Sequence, residues 1–291
     1  MNAIELTVLA AIWGASFLFM RVGAPEFGPV PLIALRVGIA ALMLLPVLLQ
    51  PQARKDIRQR WWPLLVVGVT NSAFPFCLFA YSTLFVNAGL DSVLNATTPL
   101  WGALIAFVWL GTRLTADQIL GMALGMLGVL VLVWEQIASG QATQITAVCA
   151  VLLATLSYGF AGHYSKRNLA GIAAPVTTWA SQFFSMLILL PAAIIWWPQH
   201  VVSTTAWLAV LGLGAMCTGL AYILYFRLIA HAGASYAMAV TFLIPVFGVA
   251  WGHLFLGEAI TLQMIAGCVV ILLGTALATG KLQLIRRFGF A

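Results

Sequence analysis

Apolar residues run along this chain in blocks of about twenty, separated by short polar, glycine- or proline-containing breaks. Hydropathy places ten blocks, at about 4–23, 31–50, 63–84, 91–110, 116–134, 146–165, 175–196, 206–228, 234–256 and 260–280. A helix of ~20 residues spans a hydrocarbon core of ~30 Å, so each block is expected to be a transmembrane α-helix. The longest connection, Gln50 to Trp62, is polar and Arg-rich between Pro51 and Pro63. No extramembrane catalytic domain fits there or elsewhere. The first block does not resemble a cleaved leader: Met1 to Glu5 carries an acid instead of a basic flank, and no small-residue cleavage site follows. It is read as a permanent span.

Composition sharpens the class. The chain is 63% hydrophobic and 7% charged, against roughly 25% charged in soluble domains, so lipid is its main solvent. Cys77, Cys149, Cys217 and Cys268 all fall in apolar stretches without CxxC spacing, which indicates neither a disulfide framework nor a metal site. The net charge of +6 is spread over helix ends instead of one face or run, so membrane topology explains it better than nucleic-acid binding.

Arg54, Lys55, Arg58, Arg60, Arg113, Lys166, Arg167, Arg227, Lys281, Arg286 and Arg287 fall on one side of the predicted spans, and only Arg21 on the other. Basic loops stay in the cytoplasm, so both termini are expected there, which requires an even number of spans.

The chain also repeats itself. Asn87-Ala88-Gly89 matches His231-Ala232-Gly233 at an offset of 144, and Pro99, Gly111, Thr115, Gly121 and Gly128 match Pro245, Gly257, Thr261, Gly267 and Gly274 at 146. Trp13-Gly14 pairs with Tyr158-Gly159, and Pro31 with Pro175. The expected domains are 1–136 and 144–291, five helices each. An odd number per half makes the second enter the membrane from the opposite side, giving inverted repeats, a common plan of secondary transporters.

These residues resemble the EamA-type transporters of the drug/metabolite transporter superfamily. The resemblance is carried by Trp13-Gly14-Ala15-Ser16-Phe17, Leu35-Arg36, the segment ending at Thr115 and the segment ending at Thr261, with Gly121 and Gly267 following. It implies a duplicated five-helix module, a cavity between the halves and export of metabolites or drugs without ATP. Within the superfamily the chain is most similar to the bacterial aromatic amino acid exporters. Members often carry an acid after the glycine of both repeats; here Glu258 is acidic and its counterpart Thr112 is not.

The fold expected is an all-α membrane protein of ten helices in a bacterial inner membrane. Its expected function is export of small metabolites, amino acids foremost, by alternating access, without cofactor, metal or nucleic acid. Transport of sugars, nucleotides or cationic drugs is the alternative, and a membrane enzyme a more distant one, because the acids are scattered. Oligomeric state and direction are not readable.

Depth along the helices selects Trp13, Asn71, Asn95, Thr98, Trp101, Tyr158, Thr218, Tyr222 and Tyr225 as substrate-cavity candidates. Asp91, Asn95, Thr98 and Gly102 form one polar stripe, Thr218, Tyr222 and Tyr225 a second, and Thr155, Tyr158, Gly162 and Ser165 a third. Each stripe faces a cavity or only bonds neighbouring helices. A Trp- and Tyr-walled pocket without fixed countercharge would suit a neutral zwitterion. Arg36 lies inside the second block as a gating or carboxylate contact, or else as an interfacial brace, with Asp91 and Glu26 on its side as partners. All seven acids map to helix ends or loops, which favours facilitated or exchange transport over ion-driven pumping. Pro75, Pro99 and Pro245 interrupt helices, with Gly219 at the place of Pro75. Gly121, Gly125 and Gly128 fit close helix packing. Trp61, Trp62, Trp196 and Trp197 fit an interfacial belt.

Overall fold

A computed structural model describes residues 2–282, and all regular structure among them is helical. The main helices are α1 (Asn2–Phe27), α2 (Pro29–Met43), α3 (Trp61–Ser82), α4 (Ala88–Leu110), α5 (Ala116–Leu132), α6 (Ala142–Asn168), α7 (Ala174–Ile195), α8 (Thr204–Ala232), α9 (Val240–Leu256) and α10 (Leu262–Ala278). Six of them, α1, α3, α4, α6, α7 and α8, are long and apolar enough to cross a membrane, and the other four are shorter and equally apolar. Large apolar side chains cover the outside, with Leu254, Phe255 and Leu262 more than 60% exposed. Surface of that kind marks a molecule whose solvent is lipid. Arg286 and Arg287 lie outside the described residues.

Local chemistry sets the helix ends. Gly111 and Gly257, both at φ 66°, close α4 and α9 in the left-handed conformation that a Cβ disfavours. Four residues on, Thr115 and Thr261 accept from the Gln118 and Met264 amides to start α5 and α10. The block expected at 31–50 stops its α-helical bonding at Met43 and continues as a 3-10 turn over Leu45–Leu49, because Pro46 has no N–H to give. The polar Gln50–Trp62 connection holds a short charged helix, Pro51–Gln59.

Packing between helices depends on glycine at a few close approaches. A Cβ at Gly14 of α1 would lie 2.7 Å from Phe247 Cβ, beside Gly248 of α9, and one at Gly159 of α6 would lie 2.9 Å from Gly102 N, beside Trp101 of α4. The two crossings use the same sequence positions of each half. Between α5 and α10, a Cβ at Gly274 would lie 2.6 Å from Gly121 O, and one at Gly267 would lie 2.8 Å from Leu132 Cβ. That register runs the two helices antiparallel with their backbones nearly in contact.

Polar contacts sort into two ends of the bundle. At one, Glu5 pairs with Arg227 at 2.9 Å, Arg60 donates to Asn168 O at 3.3 Å, and Arg167 lies over Trp109. This is the basic end. At the other, Ser203 gives its N–H and hydroxyl to Glu26, Arg21 donates to Thr83 O, and Gln263 donates to Val131 O. There too Glu258 accepts from the Ala88 and Gly89 amides at 2.8 and 3.1 Å, and so caps α4 from a distant loop. Thr112 offers no carboxylate at the matched position, and the single turn Ala234–Ala237 before α9 begins without a side-chain cap.

Candidate functional site

A cavity of about 460 Å³ lies between the helices of the two halves. Its wall runs from Met20, Arg36 and Asn95 to Thr178, Phe226 and Met238. Thr178 lies four residues into α7 and Met238 just before α9, so the cavity reaches the basic end. Toward the opposite end the lining stops at Met20 and Arg36, each about two turns from that end of its helix, short of the Phe27–Trp207–Trp197 ring cluster and the Glu26–Ser203 contact.

Two irregular helix segments shape the wall. Residues Val69–Ala73 of α3 and Gly212–Leu220 of α8 are wound as π-helix, at matched places in the two halves. A π turn takes an extra residue, which rotates the downstream face relative to the upstream one. In α3 the cause is Pro75, which has no N–H for the Thr70 carbonyl five residues earlier. That carbonyl accepts from Ser157 Oγ of α6 at 2.7 Å instead. In α8 Thr218 Oγ1 donates to the Leu213 carbonyl five residues back, at 2.8 Å. Asn71 stands on the first segment and Tyr222 just after the second.

Arg36 is 4% exposed. Its Nε donates to Thr218 Oγ1 at 3.0 Å, Nη1 reaches Met20 Sδ at 3.7 Å, and the guanidinium lies 3.7 Å over the Phe76 ring. No described carboxylate pairs with it. Asp91, wholly buried, accepts from Ser82 Oγ at 2.7 Å, and Glu26 accepts from Ser203. Both partners suggested for Arg36 are therefore engaged elsewhere, and the side chain turns into the protein instead of reaching the surface. The expected pocket without fixed charge is corrected accordingly: a guanidinium lines it, and no Asp, Glu, His or Lys does among the described residues.

The aromatic wall is a connected set. Trp13 lies 5.2 Å from Tyr225 and 6.2 Å from Tyr222 by ring centroids, while Phe79 stacks on Tyr158 at 6.1 Å. Trp13, Asn71, Asn95, Thr98, Tyr158, Tyr222 and Tyr225 line the cavity together with Arg36. Trp101 and Thr218 stand outside the lining. The backbone of Trp101 packs on Gly159, and Thr218 is wholly buried behind Arg36.

The stripe expected from Asp91 through Gly102 is divided, because the helix breaks at Ala96–Thr97 ahead of Pro99. Asn95 and Thr98 face the cavity, Asp91 faces Ser82, and the Gly102 carbonyl accepts from His163 Nε2 at 2.8 Å. Thr155, from the third stripe, bonds Thr97 at 3.2 Å and so ties helices together. The break expected at Pro245 is displaced: Pro245 lies within α9, and the chain turns at Met238–Ala239. Sequence reasoning missed Phe76, the ring beneath Arg36. Its signal was its place directly after Pro75, just past the irregular Val69–Ala73 segment.

The chain's likeness to known proteins agrees with this arrangement. A solved crystal structure superposes with a TM-score of 0.67 at 18% identity, covering 96% of this chain and 97% of that one, which shows the fold alone. A Salmonella typhimurium protein named a probable amino-acid metabolite efflux pump is 27% identical over 92% of this chain and 91% of its own. A Streptantibioticus cattleyicolor protein named a probable terminal-alkyne amino-acid exporter is 28% identical over 88% of this chain and 85% of its own. The profile of the EamA-like transporter family matches twice, over residues 2–134 and 145–280, and the chain belongs to that family.

Proposed function

We propose that this protein carries amino acids or closely related metabolites out across a bacterial inner membrane by alternating access, with all ten main helices spanning and both termini cytoplasmic. The halves, 1–136 and 144–291, form inverted repeats on this reading. Its support is the recurrence of the Gly14 and Gly159 crossings, the two π segments and the paired Gly111 and Gly257 ends at one offset. Two near-equivalent packings supply states of similar energy facing either side. With the basic end cytoplasmic, the state described here faces inward.

The observation that carries the proposal is the cavity itself, walled by both halves, with lining residues that run to the basic end and stop at Met20 and Arg36 toward the other. Its rings suit an apolar body, and its amides and hydroxyls suit a polar head. The names of the similar proteins favour amino-acid export. The lining carries no cluster of acids or histidines for catalysis, which favours a carrier over an enzyme.

Efflux of labelled amino acids from liposomes holding purified protein tests the reading, with Trp13→Ala and Tyr222→Ala beside wild type. Saturable wild-type efflux, weakened at least several-fold in both variants, is the expected result. Unchanged efflux in both would remove the cavity assignment.

A further inference from the structure

We propose that the cavity selects for net negative charge: an aryl or alkyl body bearing one carboxylate and no ammonium group binds more tightly than the corresponding zwitterion or amine. This deepens the reading above and rests on it.

The argument is a count of charges around the cavity. Arginine stays ionised in proteins, so Arg36 brings a permanent positive charge to a wall where it is almost wholly buried. A buried charge is costly unless it is paired. Acids on the helices packed around it are held elsewhere. Glu5 pairs with Arg227, Glu26 accepts from Ser203, Asp91 from Ser82, and Glu258 from the Ala88 and Gly89 amides. The protein holds the guanidinium in place without neutralising it. Thr218 Oγ1 takes Nε, and the Phe76 ring supports the planar face. Among the described residues the outer N–H groups meet only the Met20 thioether, a weak acceptor. The group that completes the site must therefore accept hydrogen bonds and carry negative charge, and a carboxylate does both with two-pronged geometry.

An ammonium group on the adjacent carbon works against this. It would sit within a few ångströms of the guanidinium, where like charges repel strongly at low dielectric. The wall offers it no carboxylate among the described residues; the amides of Asn71 and Asn95, nearby hydroxyls and the aromatic ring faces can receive it, but none carries the full charge that would offset the guanidinium. The expected order is carboxylate, then zwitterion, then amine.

Three ligands with the same phenyl body and different heads test the order: 3-phenylpropanoate, phenylalanine and 2-phenylethylamine. Each is titrated into the detergent-purified full chain by calorimetry and supplied in the liposome efflux assay. In wild type, 3-phenylpropanoate should bind roughly tenfold more tightly than phenylalanine, the order of one partly desolvated charge interaction, and 2-phenylethylamine least. Arg36→Gln should compress the three affinities toward one value, and Arg36→Lys should keep the order with weaker binding, since an ammonium cannot stack on Phe76. Phe76→Leu leaves every charge in place and should narrow the preference, which keeps a second test in hand if Arg36→Gln fails to fold. If phenylalanine or the amine equals or exceeds the carboxylate in wild type, charge selection is wrong while the cavity assignment stands. If all three bind alike and Tyr222→Ala changes none of them, both fail.

Discussion

Arg36 Nε and Thr218 Oγ1 are joined by a 3.0 Å hydrogen bond between residues 182 positions apart, one in each half of the chain. The same hydroxyl donates to the Leu213 carbonyl, so one threonine both holds the π winding of α8 and fixes the cation of α2.

Thr218→Val keeps the shape and removes both bonds. Hydrogen bonds to charged groups are worth about 1.5–3 kcal/mol, so this variant should unfold at lower temperature and bind ligand more weakly. Thr218→Ser should recover most of both properties. Thermal unfolding in detergent and calorimetric titration measure this, and a valine variant matching wild type would show that Arg36 does not depend on the hydroxyl.

The α5–α10 contact predicts a series of contrasting costs. A Cβ at Gly274 would meet the Gly121 carbonyl at 2.6 Å, and one at Gly267 would meet Leu132 Cβ at 2.8 Å, while nothing lies within 4 Å at Gly162. Backbone cannot move aside as a side chain can. Leu132 Cβ is itself fixed to its backbone, so Gly121→Ala, Gly274→Ala and Gly267→Ala should each cost about 1–3 kcal/mol, whereas Gly162→Ala should cost nothing and gain up to about 1 kcal/mol of helix propensity. Equal unfolding temperatures across the series would remove this account of the helix contact.

Ser82 and Asp91 form a second test. Both side chains are wholly buried, Ser82 donates to Asp91 Oδ1, and Oδ2 has no hydrogen-bond partner among the described residues. Ser82→Ala strips the carboxyl of its one donor and should cost about 1–3 kcal/mol. Asp91→Asn keeps an acceptor facing Ser82 and should cost less than Ser82→Ala. The reverse ranking in unfolding experiments would mean that the carboxyl, not its bond to Ser82, matters there.

Glu258 should anchor the start of α4. Glu258→Ala removes the acceptor of the Ala88 and Gly89 amides, and loss of a helix cap costs about 0.5–2 kcal/mol. Hydrogen exchange at these two amides should accelerate in the variant while the centre of α6 stays protected. Unchanged exchange would show that Asn87, which caps the Leu90 amide at 2.8 Å, suffices alone.

Membrane orientation follows from the distribution of Lys and Arg. Reporter fusions after Lys55, Lys166 and the C-terminal tail should all be cytoplasmic, and a periplasmic tail would overturn the ten-span arrangement.

Apolar runs, glycines at a fixed offset and alternating basic loops are properties of the order of residues, and from them the sequence alone yielded an all-helical chain for lipid, with the family resemblance. Two hydropathy blocks ended one residue before Gly111 and Gly257, which close α4 and α9, while the threonine caps at Thr115 and Thr261 came from the structure. Most aromatic and amide wall residues were also legible, since depth along a helix is a matter of counting at ~1.5 Å per residue. Rotation about the helix axis was not. The break at Ala96–Thr97 divided the Asp91 stripe, and the π winding of α8 turned Thr218 behind Arg36 and out of the lining. Partner choice was equally hidden: Arg36 lies over Phe76 and bonds Thr218, with no described carboxylate beside it, while Asp91 and Glu26 bond elsewhere. Each of these depends on which distant helix approaches and at what angle. Only packing of the whole bundle decides that, and periodicity within a single helix carries no record of it.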